Sequence, residues 1–156
     1  EIGSGLVGSE MCIRDRVEII RKLKRPYVRY THADEKNVRK ADCLIIDCFG
    51  LLSSIYRYGE IAYIGGGFGV GIHNTLEAAV YGIPVIFGPK YQKFQEAIQL
   101  LEAKGAFSVK DYEELKTLLD RMLTDEVFLR ESGMNASNYV TGNAGATDKI
   151  MSMINF

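Results

Sequence analysis

The chain has 156 residues, 47% hydrophobic and 25% charged, and a formal net charge of −1; a globular chain of this length buries about two thirds of its unfolded surface in one domain. Near-neutrality gives no reason to expect a basic footprint, so nucleic acid is excluded as a partner, and no apolar run reaches the roughly 18 residues of a membrane-spanning helix. Three cysteines without a CxxC pair (Cys12, Cys43, Cys48) and two histidines argue against a zinc site and for buried, reduced thiols in a reducing compartment, with no metal expected.

Residues 1–16, EIGSGLVGSEMCIRDR, are rich in Gly and Ser, then charged, and follow no period. They read as a non-native or linker segment, with the domain expected over 17–156. VEIIRKLKR sets Val17, Ile20 and Leu23 on one helical face, Pro26 stops that helix, and YVRY follows as a short strand. CLIID (43–47), IAYIG (61–65) and IPVIFG (83–88) are uninterrupted apolar runs, the pattern of parallel strands buried on both faces. Between them GLLSSIYRYG (50–59) and NTLEAAVYG (74–82) read as helices. FQEAIQLLEAKG (94–105) is a helix ended by Gly105, with Phe94 in the core. AFSV is a short strand, DYEELKTLLDRML (111–123) a helix capped by Asp111, and 126–140 and 145–155 are helical. Strands alternating with helices predict an α/β fold, a doubly wound parallel sheet of Rossmann-like type.

In such sheets ligands bind beyond the carboxyl ends of the strands, where loops enter helices. GGGFGVGIHNTLEAAVYGIPVIFGP (65–89) holds seven of the 16 glycines and contains one of those junctions. Glycines allow successive amides to face one point and let an anion approach the main chain, and the helix that follows adds unpaired amides and its dipole. The spacing fits neither a Walker loop nor a clean dinucleotide fingerprint. A phosphate cradle and a merely tight turn are both open. Asn74 fits an N-cap and Glu77 the reciprocal acid of a capping box; Glu77 is equally a candidate acceptor for a ribose diol. His73, at the mouth of the loop, is a candidate for holding phosphate or sugar. Two neighbouring junctions converge on the same sheet edge, Asp47-Cys48-Phe49-Gly50 and Gly88-Pro89-Lys90. Phe49 offers an apolar wall for a base, and Lys90 or Lys93 a positive charge.

The stretch GGGFGVGIHNTLEAAVYGIPVIFGPKYQKFQEA, with DCFGLLSSIYRYGEIAYIGGGF before it and GAFSV and NAGATDKI after it, resembles the signature region of the 3-deoxy-D-manno-octulosonic acid (Kdo) transferases. More broadly it is similar to the C-terminal, donor-binding half of GT-B glycosyltransferases, from about residue 17 to the end. The resemblance implies transfer of Kdo from CMP-Kdo to a lipid A precursor in lipopolysaccharide biosynthesis, at the cytoplasmic face of the bacterial inner membrane, with the donor as substrate and no cofactor or metal. It implies that Gly65, Gly66, Gly67, Phe68, Gly69 and Gly71 face the donor phosphate. His73, Asn74 and Glu77 would line the CMP pocket, with Asp47, Phe49 and Gly50 flanking it and Lys90 nearby. The general base, the acceptor site and most of the membrane contact are expected in an N-terminal half outside these residues. The first, central strand of the nucleotide domain is expected to be missing as well, so these 156 residues alone are not expected to catalyse transfer. Two other classes stay open: another GT-B enzyme acting on a UDP-sugar, as a transferase or epimerase, and a non-enzymatic nucleotide- or phosphate-binding module.

Overall fold

The computed structural model describes residues 18, 21–22, 24–69 and 71–153. Residues 1–16 and the face formed by Val17, Ile20 and Leu23 lie outside the described residues. The chain divides between Ile55 and Tyr56 into two compact units.

In the first unit, β1 (Tyr27–Arg29) pairs in parallel with β2 (Cys43–Ile45), from Tyr27 opposite Cys43 to Arg29 opposite Ile45. A 3-10 turn, Tyr30–His32, follows β1 and leads to the single-turn helix α1 (Glu35–Val38). Asp34 caps α1. Its Oδ1 accepts the Lys36 and Asn37 amides, each at 2.8 Å, and the Asn37 side chain takes the Asp34 amide in return, closing a capping box. Val28 and Ile45 are buried, but Leu44 is 47% exposed. The CLIID run is therefore not covered on both faces, because a two-stranded ribbon has one buried side to offer. Cys43 and Cys48 are free and half-buried rather than buried. The helix expected over 50–59 breaks into α2 (Leu52–Ile55) and a 3-10 turn, Tyr56–Tyr58. The Ser54 hydroxyl bonds back to the Leu51 carbonyl at 3.0 Å, the local competition that makes serine a poor helix residue.

The second unit is built on three parallel strands in the order β3 (Ala62–Ile64), β4 (Val85–Phe87), β5 (Ala106–Ser108). The strands thus form two parallel sheets where one was expected, each βαβ step keeping the parallel sense that the apolar runs implied. β4 is central and wholly buried. Val85 and Phe87 enter one core with Ile64, Ile72, Ala79, Ala97 and Leu100, and Ile86 enters another with Val109 and Met122. Period-two alternation thus sends neighbouring residues of one strand into helices on opposite faces, which is the doubly wound arrangement. Tyr63 on the outer strand β3 is half exposed.

Four helices complete the unit: α4 (Gln95–Glu102), α5 (Tyr112–Thr124), α6 (Glu126–Asn143) and α7 (Ala146–Met153), after the single turn α3 (Leu76–Ala79). Asp111 caps α5 as expected, its Oδ1 accepting the Glu114 amide at 2.9 Å. The end of α4 differs from expectation. Lys104, not Gly105, takes the left-handed conformation (φ 59°), and the Gly105 amide reaches the Leu100 carbonyl at 2.9 Å while the Lys104 amide reaches Leu101 at 3.0 Å, a Schellman ending. Gly105 is needed for another reason: a Cβ there would lie 2.5 Å from the Ala136 nitrogen. Helix α6 is seated in the same way at its other contact, where a Cβ on Gly133 would strike the Gly82 carbonyl oxygen.

Candidate functional site

The chain leaves β3 through Gly65 and folds back on itself. Gly66 and Ile72 form an antiparallel bridge, flanked by hydrogen bonds from the Gly67 amide to the Gly71 carbonyl (2.7 Å) and from the His73 amide to the Gly65 carbonyl (3.3 Å). The glycine stretch is thus a small hairpin. Two main-chain amides of the stretch, those of Gly67 and His73, are committed inside it, while Gly65, Gly66, Phe68 and Gly69 are exposed and Gly67 is buried. Gly66 and Gly67 are both left-handed, at φ 86° and 76°, and a Cβ on Gly67 would sit 2.7 Å from the Gly88 Cα. Gly69 is different: nothing lies within 4 Å of a Cβ there, and its φ is not positive. The fold needs a bare residue at 66 and 67 and does not need one at 69.

The exit of β4 is knitted to this hairpin, as the converging junctions require. The Lys90 amide donates to the Gly67 carbonyl at 2.9 Å, and the Phe68 ring lies over Gly88 so closely that a Cβ there would be 2.8 Å from its Cδ2. The Lys90 side chain is exposed. Phe94 is half-buried, not central to the core, with its ring against Gly71. His73 is half-buried, its Cδ2 3.7 Å from where a Gly65 Cβ would stand.

The helix expected from Asn74 to Gly82 begins two residues later and is a single turn, so its dipole contributes less than a full helix would. Thr75, not Asn74, is the cap residue, and its side chain makes no capping bond. Asn74 instead accepts the Leu76 amide on Oδ1 at 3.0 Å and donates from Nδ2 to Glu77 Oε1 at 3.0 Å. The reciprocal bond of the expected capping box therefore runs side chain to side chain. It holds the Glu77 carboxylate in place while leaving Oε2 available as an acceptor. Burial, and after it the charge of Glu77, raises the Tyr56 hydroxyl above its ordinary 10.0, which puts Tyr56 within electrostatic reach of that carboxylate.

Thr75 is 1% exposed, and its hydroxyl is the one buried side-chain polar atom without a hydrogen-bond partner among the described residues. An unmet buried hydroxyl costs about 1–3 kcal/mol. Thr75→Val keeps the shape and removes the orphan, so it is expected to raise the urea midpoint by an amount worth about 1 kcal/mol with the m-value unchanged.

In the first unit Asp47 lies just beyond the carboxyl end of β2, its side chain fully covered. Both oxygens are engaged: Oδ2 by Arg29 Nε (2.7 Å) and the Thr31 hydroxyl (2.6 Å), Oδ1 by the Thr31 amide (3.0 Å). Desolvation works to raise its carboxyl, but the Thr31 and Arg29 donors outweigh it and hold the group below its ordinary 3.8. A carboxylate depressed in the fold stabilises above its unfolded pKa, and that stabilisation drains away as pH falls through the folded one. Asp47→Asn is therefore expected to flatten the stability curve below pH 3.8, measured as urea midpoint against pH. Phe49 is 69% exposed, so in the first unit it forms no wall, and Gly50 is left-handed at φ 82° with nothing within 4 Å of a Cβ.

A cavity of about 610 Å³ opens between β5 and α5, lined by Phe107, Thr117 and Arg121 among others. None of the candidate site residues lines it. Among the described residues no cluster of His, Cys, Asp or Glu suits a metal ion, and no helix is long and apolar enough to cross a membrane.

No family model matches the chain. Curated proteins do. The chain is 42% identical over 87 residues to the 3-deoxy-D-manno-octulosonic acid transferase of Aquifex aeolicus, covering 54% of this chain and 25% of that protein. It is 32% identical over 116 residues to the transferase of the same name from Rickettsia bellii, covering 72% of this chain and 28% of that one. The chain belongs to the 3-deoxy-D-manno-octulosonic acid transferase family. It spans about a quarter of the length of the curated Kdo transferases it matches. Its fold is that of the crystal structure of the C-terminal CMP-Kdo binding domain of WaaA from Acinetobacter baumannii, with a TM-score of 0.70 over 82% of this chain and 67% of that one, at 19% identity. The family and the Rossmann-like α/β fold implied by the residues thus hold for this chain. What the residues did not signal are Tyr56, Thr75, Arg29 and Thr31. The last two lie 18 and 16 positions from Asp47, a separation that only the parallel pairing of β1 with β2 closes.

Proposed function

We propose that the chain is the donor-binding part of a glycosyltransferase that moves Kdo from CMP-Kdo to a lipid A precursor at the cytoplasmic face of the bacterial inner membrane. The observation that carries this reading is the glycine hairpin at the carboxyl end of β3 in a chain of this family. Ligands of open α/β sheets sit beyond that end of the strands, and a bare tip lets phosphoryl oxygens approach the main chain. In this reading Gly65 to Gly71 face the donor phosphate, with Gly69 admitting it most closely and the Lys90 ammonium supplying charge. Glu77, steadied by Asn74, takes hydrogen bonds from the ribose diol, and His73 closes the mouth.

The chain's own contribution to reaction is then to hold the donor and to stabilise the negative charge that grows on the departing CMP phosphate. The acceptor and the base that deprotonates its hydroxyl belong to the remainder of the enzyme, and the 156 residues alone bind donor without turning it over.

Calorimetric titration of the chain with CMP, UMP and UDP tests the reading. CMP is expected to bind at least about tenfold more tightly than either uridine nucleotide, a difference near 1.4 kcal/mol. A preference for UDP overturns it in favour of a UDP-sugar enzyme, and no nucleotide binding at all leaves the hairpin a structural turn.

A further inference from the structure

Strand β5 is an edge of the sheet in the second unit: among the described residues it pairs with β4 and with nothing on its other side. The Val85 amide donates to the Gly105 carbonyl and the Val109 amide to the Phe87 carbonyl. Residues 105, 107 and 109 therefore face β4, and the alternation of the ladder turns the amides and carbonyls of Ala106 and Ser108 outward. Free edges are ordinarily guarded by proline or by charge, because they accept a further strand. Ala106, Phe107 and Ser108 supply neither.

The cavity of about 610 Å³ runs along this edge, and Glu113, Thr117 and Arg121 of α5 form one of its walls. Their spacing of four residues puts them in line on one helical face. The Arg121 guanidinium lies over the Phe128 ring, 3.6 Å from its centre, and neither it nor the Glu113 carboxylate makes a hydrogen bond or ion pair among the described residues. Acid, hydroxyl and base thus stand in a row that complements itself when reversed, with Thr117 at its midpoint. The strand has its midpoint at the same height. Val109 to Phe107 is two residues of strand, about 6.6 Å, and Tyr112 to Thr117 five residues of helix, about 7.5 Å.

We propose that this edge is the seat of a second copy of the chain, paired antiparallel to β5 across a two-fold axis that passes Phe107 and Thr117. Ala106 of each copy then faces Ser108 of the other, and each such pair exchanges two main-chain hydrogen bonds. The two α5 helices come side by side on one face of the joined sheet, at about the 10 Å of packed neighbours. Glu113 of each copy there meets Arg121 of the other. An unrelated strand has no reason to match that order of charges, whereas a two-fold related copy matches it at both ends at once. At the start of β5, Lys104 faces the other copy's Lys110, whose charge is already paired with Glu114 at 3.7 Å. None of the residues proposed to hold the donor lines this cavity, so the inference does not rest on the donor reading.

Sedimentation velocity tests it on the full 156-residue chain. A dimer is expected with a Kd on the order of 10 µM, as suits a small interface, and salt is expected to weaken it. Glu113→Arg and Arg121→Glu each set like charges against each other and are each expected to weaken association by about tenfold or more. An equimolar mixture of the two variants restores both attractions and is expected to recover the dimer. The amides of Ala106 and Ser108 are expected to gain exchange protection as concentration rises. If Arg121→Glu loses its far-ultraviolet circular dichroism, Thr117→Glu, which sets two carboxylates at the axis, is read in its place and is expected to weaken the dimer as much. A chain that stays monomeric at about 200 µM, or assembly that grows past the dimer, overturns the proposal. So does a dimer indifferent to the charge variants, or a mixture that fails to restore it. Nucleotide titration does not read this edge, so this inference and the donor reading can fail independently.

Discussion

Gly67→Ala is expected to unfold the second unit or to lower its stability by about 3 kcal/mol or more, among the larger effects a single methyl can have. Two penalties combine. The residue sits at φ 76°, where any L side chain costs roughly 1–2 kcal/mol. Its Cβ would also stand 2.7 Å from the Gly88 Cα and 2.8 Å from the Gly88 carbonyl carbon, and main chain cannot rotate aside as a side chain would. Relief requires the exits of β3 and β4 to separate, which breaks the bond from the Lys90 amide to the Gly67 carbonyl. The companion variant Gly69→Ala is expected to change stability by no more than about 0.5 kcal/mol, since open space surrounds that Cβ. Urea unfolding of the two variants side by side gives the contrast. Loss of CMP binding in the stable Gly69→Ala chain would then be a ligand effect and not a folding one.

Phe87→Ala carries the second large effect, an expected loss of about 3–5 kcal/mol. Phe87 is fully buried at the end of β4, where it meets Ile64, Ala97 and Leu100 in one core and lies 5.5 Å, ring centre to ring centre, from Tyr91. Its removal leaves a void on one side of the central strand that short neighbours such as Ala78, Ala79 and Ala97 cannot fill. Phe87→Leu retains most of the volume and is expected to cost less than half as much. Domains of this size have only about 5–15 kcal/mol in hand, so the alanine variant is expected to show a lowered, broadened thermal transition, and Gly88 and the hairpin it braces should lose amide protection first.

The strands were legible because burial writes itself into composition: IPVIFG has no polar residue to place outside, and β4 is covered on both faces. CLIID looks the same in sequence, yet Leu44 is half exposed, because covering depends on partners that lie far along the chain. Helix starts were legible where one side chain decides them, as at Asp111. They were misjudged at Asn74, where the asparagine bonds the Leu76 amide and Glu77 at once and pushes the first helical residue beyond Thr75. Gly105 reads as a helix stop by type, but its bareness answers to Ala136, 31 positions away in sequence, and a lysine takes the left-handed residue instead. The glycine loop was recognisable as a place of unusual backbone. Its hairpin was not, since whether Gly67 and His73 point their amides outward or at Gly71 and Gly65 depends on a turn that composition does not encode.

The seating of α6 has a consequence for its alignment. At both Gly133 and Ala136 the helix meets bare backbone, the Gly82 carbonyl at one and Gly105 at the other, in two notches that admit almost nothing larger. Screwing the helix along its axis by one residue, a rise of about 1.5 Å with about 100° of rotation, would drive the side chain of Ser132 or Met134 into the first notch, and Asn135 or Ser137 into the second. The pair works as a two-pin key: the helix enters in one axial position or does not enter, and a change of size at any one of the four residues calls for a matching change across the contact.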